Sequence, residues 1–221
     1  MTKRVLIFDF DGTIADTHHY IIGIYNRLSS DFQYNLIREE EIENLKDKSS
    51  RELIRYLKIP ITKIPSIITR GKKEFYKNVL TVKPIAGLAD ILQRLKGTSA
   101  TMGILSSNAS ENIDQFLSLH NLNIFDFVYT TPKVWSKNII LNKLIKTYAF
   151  ETDHTLYIGD ETRDIVAAQR SGIKIAAVTW GYNSSKALKE CRPDFLINTP
   201  EELFEVCTSA SIIRRVHEER F

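Results

Sequence analysis

The sequence predicts an α/β fold, a central parallel sheet with crossover helices that is interrupted after its first strand by an all-helical insertion. Three observations carry this. Short apolar runs rich in β-branched residues recur with helical patterns between them. The long segment 15–84, between the first two such runs, contains no convincing strand. The first run, Val5–Phe8, leads directly into two carboxylates, Asp9 and Asp11, followed by Gly12 and Thr13.

Taken in order, strands are expected at Val5–Phe8, 100–105, 125–130, 155–158, Lys174–Val178 and Phe195–Ile197, with helices near 87–96, 110–120, 137–149, 162–171, 184–190 and 200–207. Within the insertion, Ser49 and Glu52 form a capping-box pattern that opens a helix with Leu53, Ile54 and Leu57 on its apolar face, and Pro60 stops it. A further helix is expected from about Thr62, with Pro65 tolerated in its first turn and Ile64, Ile67, Ile68, Phe75 and Val79 turned inward. The run Glu39–Glu41 with Glu43 reads as the wet side of another helix, and His18 and His19 as structural residues of the first. The chain should leave the core near Ala15 and return near Pro84, which divides it into a core of 1–14 and 85–221 and a cap of 15–84. Gly87 is expected to begin the next core helix. Residues 209–221 are compatible with either a short helix or a frayed tail.

The 221 residues, 43% hydrophobic and 26% charged, suit a globular domain that buries a sizeable core. No apolar stretch is long enough to span a membrane, and Asp9 cuts off the opening apolar run too early for a signal peptide, so a cytoplasmic location is expected. Cys191 and Cys207 suggest neither a disulfide framework nor a zinc site, and are expected as packed thiols. A net charge of +3, without basic blocks interleaved with aromatics, argues against a nucleic-acid partner. The charge is unevenly spread. Residues 15–84 hold 13 Lys+Arg against 9 Asp+Glu, the remainder 17 against 18, so the positive excess lies in the insertion, where it would favour a small anionic substrate.

A buried strand can hold Asp9 and Asp11 at its end only if something cationic repays their desolvation, which points to a metal site. In open α/β sheets ligands bind at the carboxyl ends of strands, so residues distant in sequence can meet there. Ser106, Ser107 and Asn108 follow the second predicted strand, and Gly159–Asp160–Glu161–Thr162–Arg163–Asp164 follows the fourth. The plainer alternatives are an Asp-Gly turn for the first motif and helix caps for the other two.

The stretch from Asp9 to Thr13, with Asp16–Thr17 beyond it, resembles the first motif of the haloacid dehalogenase superfamily, and the other segments resemble later motifs in the family's order. The resemblance implies a Rossmann-like three-layer core with a small helical cap and magnesium-dependent phosphate-ester hydrolysis. Asp9 would attack phosphorus and Asp11 would serve as general acid and base. Gly12 and Thr13 would complete the phosphate loop, with Ser106 donating a hydroxyl to the phosphoryl group beside the Ser107 backbone N–H and Asn108. Lys137 is the candidate for the phosphate lysine, with Lys133 as its rival. Mg²⁺ would be held by the side chain of Asp9, the backbone carbonyl of Asp11 and Asp160, with Asp164 holding a liganding water or positioning the loop. Lys48 and Arg51 of the cap are candidates for contacting the substrate's distal group, and Thr179–Trp180–Gly181–Tyr182 for bordering the site.

The expected activity is hydrolysis of a small phosphorylated metabolite, with phosphoglycolate the favoured substrate by likeness to phosphoglycolate phosphatase-like members. A sugar phosphomutase would need a cap that binds a second phosphate, and a dehalogenase would not need Asp11, Asp160 and Asp164 together. A non-catalytic phosphate-binding protein would be expected to have lost one of the motifs, and none is visibly lost. Oligomeric state leaves no mark in the sequence.

Overall fold

The computed structural model describes residues 4–131 and 137–209. Its centre is a six-stranded, wholly parallel sheet in the order β3-β2-β1-β4-β5-β6, built from β1 (Val5–Phe8), β2 (Thr101–Ser106), β3 (Phe127–Thr130), β4 (Thr155–Gly159), β5 (Lys174–Val178) and β6 (Phe195–Ile197). Strands covered on both faces read as continuous apolar runs, and β1 and β4 are buried at every position. Alternate side chains feed two cores. Leu6, Phe8, Ile104 and Ile158 face one, Val5, Ile7, Leu105 and Tyr157 the other.

The predicted strands and crossover helices recur to within one residue at each end, except that the third strand begins at Phe127 and not at 125. Phe125 packs edge-on against Phe8 at 5.9 Å, and the Asp126 carboxylate accepts from the Met102 N–H at 2.8 Å, so a side chain takes up a donor at that point of the ladder.

Helices α1 (His18–Phe32), α2 (Ile42–Leu45), α3 (Ser50–Tyr56) and α4 (Ile64–Tyr76) all lie between β1 and β2, and α1 packs against α4. Ser49 caps α3 as its sequence suggests. Its backbone N–H donates to Glu52 at 2.8 Å and its hydroxyl accepts from the Glu52 N–H at 3.4 Å. The fourth helix starts two residues after Thr62, because Ile61–Lys63 forms a 3₁₀ turn that places Pro65 at its start. Glu39–Glu41 is likewise a 3₁₀ turn, leading into the one-turn α2. The two ends of segment 15–84 lie side by side. Ala15 bridges Pro84, the Asp16 N–H donates to the Lys83 carbonyl at 2.9 Å, and the Ile85 N–H to that of Ile14 at 2.9 Å.

The remaining helices, α5 (Leu88–Gly97), α6 (Ser110–Leu119), α7 (Lys137–Tyr148), α8 (Thr162–Arg170), α9 (Ser185–Glu190) and α10 (Pro200–Thr208), flank the sheet. Both cysteines are free thiols, with Cys207 buried. Among the described residues no helix is long and apolar enough to cross a membrane.

Candidate active site

The strand order reverses at β1, whose neighbours are β2, the next strand, and β4, which begins the other half of the sheet. Such a switch point opens a crevice at the carboxyl ends of the strands. Asp9 follows β1 there, and its N–H donates to the Ile158 carbonyl of β4 at 2.8 Å. Asp160 follows β4, Asp164 sits in the first turn of α8, and Lys137 opens α7.

These four side chains meet. The Lys137 ammonium donates to Asp9 Oδ2 at 2.5 Å and to Asp164 Oδ1 at 2.6 Å, with all three residues almost fully buried. Carboxylate oxygens of Asp9, Asp160 and Asp164 lie within 4.8 Å of one another, forming a group able to hold a metal ion. Burial alone makes this costly. It pushes Asp9 up to about 7 against the pull of Lys137, and it raises Asp160 well above the usual carboxylate range, helped by the neighbouring charges of Glu161, Asp9 and Asp164. Lys137 stays charged despite its own burial because Asp164 and Asp9 hold its proton. One lysine cannot balance three buried carboxylates, and a divalent cation on hard oxygen ligands would. The donor set fits such an ion.

Asp160 is held on both oxygens, by the Thr13 hydroxyl at 2.6 Å and the Tyr182 N–H at 2.7 Å. Gly12, at φ 73°, and Gly181 press on this carboxylate from two sides, and a Cβ on either would collide with it. The glycines of both loops are therefore required by close approach. Trp180 adds a bond from its indole N–H to the Thr13 carbonyl at 3.1 Å, so the Thr179–Tyr182 stretch borders the site directly. Glu161, not Asp160, caps α8.

Asp11 is set apart from the acidic group. Both of its oxygens accept from Asn108 Nδ2 at 3.0 Å, and it lines a cavity of about 290 Å³ together with Ser107, Asn108, Tyr182 and residues of α1, α3 and α4. Burial raises it to about 6, with the Asn108 hydrogen bond acting against the rise. A carboxyl near neutrality facing a cavity is suited to exchanging protons with whatever enters. Ser106 is fully buried at the end of β2, where its hydroxyl accepts from the Asn108 N–H at 3.0 Å.

The two cap candidates part company. Lys48 lines the cavity, with its ammonium 5.5 Å from the centre of the Tyr56 ring. Arg51 lies instead on an adjoining cleft along α8, which Lys137 also lines and which shares Ser50 and Arg163 with the cavity. Lys133 lies outside the described residues. Several residues that sequence reasoning passed over also matter. Asn183 donates from Nδ2 to the Lys46 and Lys48 carbonyls at 2.8 and 3.0 Å, while its Oδ1 accepts from the Thr162 N–H of α8 at 2.9 Å. Arg163 lines the cavity and pairs with Glu161, which in turn accepts from Ser50 at 3.2 Å. Lys72 of α4 lines it as well. An asparagine after a glycine turn, or a lysine on a charged helix, carries no local signal of this kind.

Comparison with known proteins bears on the family and the fold. The family model described as haloacid dehalogenase-like hydrolase matches residues 6–178. A phosphoglycolate phosphatase of Synechococcus elongatus is 33% identical over 93% of this chain and 97% of its own length, and a pyrophosphatase PpaX of Oceanobacillus iheyensis is 26% identical over 93% and 97%. In fold, the chain superposes on a predicted phosphatase from Clostridium acetobutylicum with a TM-score of 0.79 at 19% identity, over 93% of this chain and 98% of that one. With the family model spanning most of the sequence and a relative 33% identical over nearly its whole length, the chain belongs to the haloacid dehalogenase-like hydrolases.

Proposed function

We propose that the protein is a Mg²⁺-dependent phosphatase acting on a small phosphate monoester through an aspartyl-phosphate intermediate on Asp9. The observation that carries this reading is the meeting of Asp9, Lys137, Asp160 and Asp164 at the switch point, with Asp11 turned instead toward the cavity. In the first step Asp9 attacks phosphorus, the ester P–O bond breaks, and the leaving oxygen takes its proton from Asp11. In the second, Asp11 removes a proton from a water that attacks phosphorus, and the bond to Asp9 breaks to release inorganic phosphate. Lys137 holds the nucleophile charged and correctly aimed and adds positive charge beside the transferring group. Ser106 and the Ser107 N–H are the remaining donors for the phosphoryl oxygens.

Asp9, Asp160 and the Asp11 carbonyl would hold Mg²⁺, with Asp164 fixing Lys137 and the α8 loop. When bound, the ion supplies charge neutralisation that lets two anions approach each other. Phosphoglycolate is the favoured substrate, supported by the identity to the Synechococcus phosphoglycolate phosphatase over nearly the whole of both chains. The protein would act on a diffusing metabolite in the cytoplasm, with no nucleic-acid or membrane partner.

Phosphate release from a panel of phosphorylated metabolites, with Mg²⁺ and with chelator, tests the activity. Asp9→Asn should lower kcat by at least about a thousandfold, since a carboxamide cannot form the acyl phosphate. A folded variant that keeps substantial turnover would remove Asp9 from its role. A wild-type protein that releases no phosphate and does not tighten around a phosphate-mimicking metal fluoride would be a binding protein.

A further inference from the structure

We propose that Lys72 seats a second anionic group on the leaving-group side of the substrate, so that the site selects compounds with a further negative charge close to the scissile oxygen over esters of neutral alcohols. This rests on the phosphohydrolase reading above and adds to it the residue and the charge rule by which substrate is chosen.

Position comes first. If Asp11 protonates the leaving oxygen, whatever that oxygen carries must extend away from Asp9 into the cavity that Asp11 lines. Lys72 lines the same cavity, and the charges of Lys72 and Asp11 act on each other across it.

Availability is the second point. The cavity's other cations are engaged. Lys46 pairs with Glu43 at 2.8 Å, Arg163 with Glu161, and Lys48 lies over the Tyr56 ring. The Lys72 ammonium has no hydrogen bond or ion pair among the described residues, and beyond Asp11 only the exposed Glu111 bears on its charge. It is half-buried beside apolar side chains such as Ile68, and burial pulls its pKa below the ordinary lysine value. A protein carries such a cost more readily where an incoming anion repays it.

Registration is the third. Lys72 is tied to the acid through two buried asparagines. Its carbonyl accepts from Asn112 Nδ2 at 3.3 Å, which also donates to Asn108 Oδ1 at 2.8 Å, and Asn108 Nδ2 donates to both Asp11 oxygens. A helix that merely roofed the cavity would not need its backbone indexed to the hydrogen-bond partner of the general acid. The arrangement fixes where the Lys72 backbone stands relative to Asp11.

A carboxylate and a second phosphate share the required chemistry, and the test separates them. The ratio of kcat/KM for phosphoglycolate, and for pyrophosphate, to that for ethyl phosphate is measured in wild type, Lys72→Met and Lys72→Arg. Wild type should prefer at least one anionic compound, Lys72→Met should lower that ratio at least tenfold, mainly through KM, and Lys72→Arg should recover part of it. The compound whose ratio collapses identifies the anion. An unchanged ratio in folded Lys72→Met, or an equal loss on all three compounds, would overturn the proposal, as would a wild type with no preference between charged and neutral esters. Should Lys72→Met fail to fold, Lys72→Gln and Lys72→Arg carry the comparison. Wild type inert toward all three compounds and toward the wider panel would instead bring down the phosphohydrolase reading itself.

Discussion

The floor of the site, its acidic group at the strand ends, and the roof of the neighbouring cavity are built on opposite principles. On the floor, Asp9, Lys137 and the Asp160–Asp164 pair come from three separate chain segments and are almost wholly withdrawn from water; Lys137 bonds Asp9 and Asp164 at 2.5 and 2.6 Å, and Asp160 is held by Thr13 and Tyr182 at 2.6 and 2.7 Å. The roof is an apolar wall of Ile21, Leu28, Ile54, Ile64 and Ile67 with a few half-exposed cations, and its polar ties to the rest include the Asn112–Lys72 and Ser50–Glu161 bonds and a small clasp at Asn183 and Ser184. There Asn183 and Ser184 donate to the Lys46 and Lys48 carbonyls, and Ser184 also meets Asp47. Charge buried in the floor is expensive and must stay rigid, whereas a wall of aliphatic side chains can be displaced as a unit without leaving a charge unpaired. The difference separates chemistry from selection.

Removing the floor's counter-charge should have the largest effect. Lys137→Met leaves Asp9 and Asp164 facing each other without a cation, and breaking a buried ion pair in this way costs roughly 3–5 kcal/mol. Denaturant unfolding in chelator at pH 8 would register it. The pH dependence has a definite sign. Asp9 sits above its unfolded value already, and losing the lysine raises it further, so the folded state binds the extra proton and the variant regains stability as pH falls from 8 toward 5. A deficit that grew on acidification would mean that Asp9 is not the group left unpaired.

Cutting the clasp should act more mildly and on a different observable. Asn183→Ala removes two bonds to the 46–48 turn and one to the first turn of α8, each worth on the order of 1 kcal/mol net. Because the binding-competent arrangement then has a smaller population, KM should rise about tenfold while kcat changes less. Hydrogen exchange should quicken at residues 46–51 and remain slow in β1 and β4. Equal loss of protection in the strands would show that roof and floor open as one body.

The sequence discloses these two regions unequally, for a physical reason. Strand runs ending in Asp9, Ser106 and Asp160 are legible because buried strands are apolar and a polar residue at their ends is conspicuous against that background. The helices of segment 15–84 are legible from their periodicity and from Ser49 and Glu52. What each helix faces is not legible. Lys72 differs in no local respect from Lys73 beside it, yet one lines the cavity and the other is exposed. Lys48 and Arg51, three residues apart, end on different clefts because α3 begins between them and turns Arg51 outward. Asn183 depends on a contact more than 130 residues distant in sequence, which no local pattern encodes.

The smallest expected effect lies farthest from the chemistry and tests whether the roof has a stability of its own. Ser49→Ala deletes a hydroxyl that accepts from the Glu52 N–H and donates to its carboxylate, while the bond from the Ser49 backbone N–H to Glu52 can persist. Loss of an N-cap of this kind costs about 1 kcal/mol. In a chain of this length, if the whole molecule unfolded in one step, that would lower the melting temperature by roughly 2–4 °C. If α3 belongs to a region that opens on its own, the cost appears locally, and exchange of the Ser50–Tyr56 amides should accelerate about fivefold with the main transition nearly unmoved. The second outcome is expected, since no residue of α3 is fully buried, Leu57 joins the core just beyond its end, and among the described residues its side-chain hydrogen bond to the helices of the sheet is that from Ser50 to Glu161. A full shift of the main transition would join the roof to the floor as one cooperative unit and move the boundary between chemistry and selection into the cavity itself.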